Sequence, residues 1–151
     1  MKQITAKKVL FIKLGDAGKW EEDCIKQGEL KIGFLSADFK TCLNGKWGKI
    51  SDYYSTRKEK PNDKTTASRY MGELKYFFEE PADTLWITYY DKKVWWAFTH
   101  PAVTLLPDKR KIRNVIGSWC DCDINGNKLT FDNLSGELLK TQGLLDFSSC
   151  K

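Results

Sequence analysis

Histidine is almost missing from this 151-residue chain, His100 being the only one. Sites that need two or more imidazoles, such as an H-E-x-x-H zinc protease or a His-paired nuclease, are therefore excluded. Long apolar runs are missing too: no stretch approaches the ~20 residues of a membrane span. The polar segment Met1 to Lys8 leads straight into a strand-like run, so no signal peptide is expected. Cysteine is scarce and odd in number (Cys24, Cys42, Cys120, Cys122, Cys150), whereas an oxidised secreted scaffold pairs an even set. A reducing cytoplasm is the expected setting. Cys120 and Cys122 make only C-x-C, with no second pair or histidine at zinc-ligand spacing, so neither zinc nor another cofactor is expected. No G-x-S-x-G, P-loop or dinucleotide fingerprint occurs.

What is present is enough apolar material for a core and a surplus of aromatic rings. Hydrophobic residues make up 41% and charged residues 30%, which sets aside disorder and low complexity. Residues 1–151 have the length of a single domain. There are six Trp, six Tyr and eight Phe, and the formal charge is +5. That charge suits an anionic partner. It is concentrated mid-chain: residues 40–64 hold seven basic side chains against three acidic ones, whereas residues 114–151 hold three against five.

Lys8 to Leu14 reads as a buried strand, Lys19 to Gln27 as a short helix stopped by Gly28, and Glu29 to Phe34 as a half-buried strand with alternating sides. From Ser36 to Lys64 periodicity fades, and the segment reads as a long basic excursion holding Trp47, Tyr53 and Tyr54. Thr66 to Glu80 carries a helical stripe of Met71, Leu74 and Phe78. Leu85 to Tyr90 and Val94 to Thr99 form a hairpin around Asp91-Lys92-Lys93, apolar or aromatic on both faces. Pro101 to Leu106 and Lys111 to Ile116 are further strand candidates, Asn125-Gly126 is a turn, and Leu134 to Lys140 a short helix. Strands separated by helices, plus an antiparallel hairpin, imply an α+β domain around a small mixed sheet, curved or barrel-like, with short flanking helices.

Three constellations carry chemistry. Indoles beside positive charge suit base stacking, worth ~1–3 kcal/mol per base. Trp20, Trp47 and Trp119 stand at turns or element edges and are the candidate cage walls, with Tyr53 beside them, while Trp86, Trp95 and Trp96 lie inside strands and read as core. Lys109, Arg110, Lys111 and Arg113, with Arg57 and Lys58 as a second cluster, are candidate phosphate ligands. Asp121, Asp123, Asn125 and Asp132 match the spacing of a calcium loop, but a strand-like segment precedes them where that motif needs a helix. Asp121 and Asp123 are instead candidates to accept from a base edge. Catalytic signals are weak: Glu29-Leu-Lys31 and Glu73-Leu-Lys75 have the E-x-K spacing of metal-dependent nucleases without a convincing upstream Asp, and the thiols read as buried and inert.

The order of strand, Gly15-x-x-Gly18-Lys19-Trp20, strand, basic excursion and helix, followed by Asp83-Thr-Leu-Trp86 and Val94-Trp-Trp-Ala-Phe98, resembles the PUA-like superfamily in its EVE and YTH branches. The resemblance implies a small mixed barrel, a flipped-out modified base held in an aromatic cage, and service as the specificity module of a modification-dependent restriction or defence system. The expected function is thus a non-catalytic nucleic-acid reader, DNA being favoured over RNA, fused to or associated with a nuclease or motor domain. A pocket for a small nucleotide or aromatic metabolite is the alternative, and a small metal-dependent enzyme using the Asp121–Asp132 loop is the third.

Overall fold

The computed structural model describes residues 5–56 and 64–132, and its most regular element is the hairpin of β3 (Thr84–Tyr90) and β4 (Lys93–Ala97). Asp91 and Lys92 connect the strands with φ of 53° and 57°. Two successive left-handed residues give the turn whose twist matches that of paired strands. β1 (Lys8–Phe11) lies parallel to β3, with Leu10 opposite Trp86, which completes a mixed sheet of order β1-β3-β4. β2 (Glu29–Ile32), β5 (Thr99–Leu105) and β6 (Lys111–Val115) form an antiparallel sheet of order β2-β6-β5. Phe98 alone separates β4 from β5, and its carbonyl accepts from Ile116 N at 2.8 Å, so the chain steps between sheets without losing its hydrogen bonding. The register of β5 against β6 shifts between Thr99 and Val103. Pro101 falls in that shift, where an edge strand tolerates a missing N–H.

Four helices complete this α+β fold among the described residues: α1 (Glu21–Gln27), α2 (Phe39–Leu43), α3 (Trp47–Ser55) and α4 (Lys64–Glu79). α1 starts on Glu21, Glu22 and Asp23 and ends at Gly28, in line with the helix dipole and the left-handed stop. The segment expected as an excursion contains two helices. Asp38 caps α2 by accepting from Thr41 N at 2.9 Å. No helix among the described residues is long and apolar enough to cross a membrane.

Two cores result. One joins both sheets to α4 through Leu10, Leu14, Leu30, Phe77, Trp86 and Trp119. The other is helical, built on Cys42, Trp47, Ile50, Tyr54, Ala67 and Leu74. Ile32 and Phe78 pack against both. One expectation changes here: β2 does not alternate between core and solvent, because Glu29, Leu30 and Lys31 are all buried and Glu29 pairs with Lys31 at 3.2 Å. The helix expected over 134–140, together with Arg57, Lys58 and Cys150, lies outside the described residues.

Candidate functional site

The seam between the two cores opens into a cavity of about 470 Å³. That is within the ~300–1,000 Å³ of small-ligand sites. The sheet side contributes Leu10, Ile12, Phe77 and Trp86, and the helical side Phe34, Tyr54 and Tyr70. Phe34, Tyr54 and Tyr70 meet edge to face, with centroids 5.2–6.3 Å apart, a geometry that ring quadrupoles favour. Half-buried Trp20 completes the lining. Its position is set by glycine: Gly15 has φ +85°, and a β-carbon there would come within 2.8 Å of Trp20 Cδ2. Charged groups share the lining: Lys13, Lys19, Lys31 and Arg110 against Asp16, Glu73 and Asp108. Glu73, one turn on from Tyr70 along α4, is buried.

Of the four proposed cage residues, Trp20 alone lines this cavity. Trp47 is the first residue of α3 rather than part of an open loop; it is buried, packs edge-on against Phe78 and donates its indole N–H to Glu79. Trp119 is likewise core, donating Nε1–H to Glu29 O at 3.2 Å. Neither lines this cavity. Tyr53 is exposed outside the cavity, its ring 5.0 Å from that of pocket-lining Tyr54. Trp86 is core as expected and also contributes to the cavity wall; Trp95 and Trp96 are half-buried, anchored to Tyr90 O and Cys122 O.

The basic run divides by element: Lys109 and Arg110 stand in the β5–β6 turn, whereas Lys111 and Arg113 lie in β6. Lys111 and Arg113 are fully buried, so the expectation that they bind phosphate on an open surface is corrected. Lys111 donates to Phe34 O at 2.6 Å and Gly33 O at 3.4 Å, which holds Phe34 at its unusual φ of +47° and so builds one wall of the cavity. Burial lowers its pKa. Arg113 donates to His100 O at 3.1 Å and Phe77 O at 2.9 Å, tying the β5 irregularity to the C-terminal end of α4. Burial brings its pKa down to about 10, still charged at neutral pH. Lys109 remains exposed in the β5–β6 turn. Arg110, half-buried, is held by Asp108 and lies 5.3 Å from the Trp20 ring centroid.

The acidic loop serves structure. Asp121 is buried and accepts from Lys93 at 2.9 Å and from Lys128 at 2.9 and 3.0 Å, which holds its carboxyl well below the usual range. Asp123 accepts from Asn125 N at 2.8 Å and Asn127 N at 2.9 Å, folding the turn at Gly126. Neither lies in the cavity wall, so the base-edge role expected of them has no geometric basis. Nor do they converge on a cation: Asp121 turns to its lysines and Asp123 to its own loop, and among the described residues no group of three metal-ligating side chains comes together. Burial raises the Cys24 thiol to about 12 and the Cys42 thiol to about 11, far from a nucleophile's range.

Sequence reasoning missed Phe34 and Tyr70; it noted Tyr54 in the basic excursion and Glu73 in an E-x-K spacing, without assigning either to a ligand pocket. Tyr70 and Glu73 stand three apart on α4, a spacing that shares a helix face. Phe34 carries no such signal. Comparison with protein families, curated proteins and solved structures finds no match for this chain.

Proposed function

We propose that this protein is a non-catalytic nucleic-acid reader that takes one flipped-out base, a modified one on the reading that the PUA-like resemblance implies, into the cavity beside Trp20. The observation that supports it is the cavity itself: about 470 Å³ at the seam of two cores, with rings of Trp20, Phe34, Tyr54 and Tyr70 in its wall. Such walls accept a flat heterocycle and return part of the unstacking cost of a flipped base. DNA remains the favoured strand, and service as the specificity module of a restriction or defence system, fused to or partnered with a nuclease or motor domain, belongs to the same proposal.

Chemical-shift titration with oligonucleotides carrying methylated or plain bases tests it. The expected result is saturable shifts at the Trp20 indole and around Phe34, larger for a modified base. Shifts confined to other surfaces, or none, would overturn it. A second reading, a pocket for a small nucleotide or aromatic metabolite, is favoured by the withdrawal of Lys111 and Arg113 from the surface, which shortens the phosphate track. Equal affinity for a mononucleotide and an oligonucleotide would select that reading.

A further inference from the structure

We infer that the ligand of this cavity is a nucleotide unit rather than a bare base or nucleoside, its phosphate group being taken by Arg110 where that side chain stacks on Trp20. The inference rests on the proposed base pocket and adds the group that must accompany the base.

Arg110 sits in the turn between β5 and β6, closed by Lys109 N to Leu106 O at 2.9 Å and Leu106 N to Arg110 O at 2.8 Å. Asp108 fixes it there twice, accepting from Arg110 N at 3.0 Å and from the guanidinium Nε. The guanidinium carbon lies 5.3 Å from the Trp20 ring centroid, within cation–π range. Asp108 engages Nε, which leaves the four Nη N–H groups of this cavity-lining residue for an anion. A guanidinium held by a carboxylate and an indole has already lost much of its rotamer freedom. Its planar fork matches two phosphate oxygens. Lys19 Nζ lies 5.2 Å from the same ring and only 3.9 Å from Asp16, a loose pairing, and Lys13 joins the lining. Arg110 and Lys19 therefore flank Trp20, one of the two indoles in the cavity wall, and Lys13 lines the same cavity. A base seated among the rings would carry its phosphate outward to this cluster.

The shared chemistry is a phosphate ester next to a base, from either a free nucleotide or a strand. The test is calorimetric titration of the full chain with deoxynucleosides of the four ordinary bases, 5-methylcytosine and N6-methyladenine, with their 3′- and 5′-monophosphates, and with short single-stranded oligonucleotides of the same bases. Wild type is expected to bind the best monophosphate roughly ten- to hundredfold more tightly than its nucleoside, the scale of a charge-assisted contact. Arg110→Gln, which keeps a stem over the indole, should remove most of that difference and lower monophosphate affinity far more than nucleoside affinity; Asp108→Asn should reduce the difference by less. An oligonucleotide tighter than the monophosphate, and equally sensitive to Arg110→Gln, identifies a strand as the source, whereas equal affinity identifies the free nucleotide. Nucleoside and monophosphate binding alike, with Trp20→Ala weakening both, would overturn the clamp and leave the base pocket standing. No binding by any of the three ligand classes would remove both.

Discussion

Indoles in similar sequence settings have different fates here, and the difference is measurable. Trp20 is half-buried against Gly15 and two cations, whereas Trp119 is buried with its N–H on the backbone of β2. Trp119→Ala is expected to cost ~3–5 kcal/mol of stability as a core cavity, read by denaturant unfolding. Trp20→Ala should cost markedly less and weaken base binding roughly ten- to hundredfold. Asp121 gives a second prediction at this scale. Its carboxyl is held low chiefly by the hydrogen bond from Lys93, then by Lys128 and Cys122. A carboxyl whose folded pKa lies below its unfolded value contributes stability above the unfolded range, and that contribution fades as pH falls through the folded value. Asp121→Asn should therefore be less stable than wild type by ~1–3 kcal/mol at neutral pH. The gap should narrow below about pH 4, where unfolded carboxylates take up protons. A gap of constant size in pH-dependent melts would mean that the carboxylate's charge contributes nothing.

Among the elements, the β3–β4 hairpin carries strain that one substitution can relieve. Lys92 sits at φ 57°, where an L-residue with a β-carbon is disfavoured by roughly 1–2 kcal/mol and glycine is not. Net of the ~0.4–1 kcal/mol of entropy that glycine adds to the unfolded chain, Lys92→Gly should raise stability by about 0.5–1 kcal/mol, checked by thermal melting. This hairpin and α4 were legible in the sequence, because each has a clear period and the turn residues fall where the pattern breaks; the strand candidate over 111–116 corresponds to β6, Lys111–Val115. α2 and α3 were not legible. They are short, with Gly45 in the link between them and Gly48 in the first turn of α3, and they gain their order by burying Cys42, Trp47 and Ile50 in the helical core with α4, a contact that local pattern does not record. The fate of Lys111 and Arg113 was written in the sequence but masked by their charge. They alternate with Ile112 and Asn114 and pair across the sheet with Ile32 and Leu30, so they share the face of Val115. Ile112 on the opposite face is buried as well, so the strand is enclosed on both sides, and backbone carbonyls receive both cations. The candidate site was legible only at Trp20 and Arg110, since its other walls come from elements far apart in sequence.

At the scale of the molecule, the cavity lies where a sheet core and a helical core meet without merging, so its walls are held from both sides by side chains needed for folding. The same arrangement limits how much charge can face a bound strand. With Lys111 and Arg113 inside, the cations at the cavity are Lys13, Lys19, Arg110 and Lys31, and Lys31 is buried and paired with Glu29. About three cations remain to meet phosphates. Counterion release predicts that the logarithm of single-strand affinity falls with log salt at a slope of about −0.7 per phosphate neutralised, hence about −2. An open track along residues 109–113 with a second basic cluster would give about −4. Oligonucleotide titrations over a tenfold salt range separate the two slopes, and they test the architecture rather than any one side chain. A slope near −2 that falls by about 0.7 in Arg110→Gln would assign one of the phosphate contacts to the Trp20 stack. A slope near −4, unmoved by that variant, would carry the strand across a different face and leave the cavity for a ligand that needs no strand.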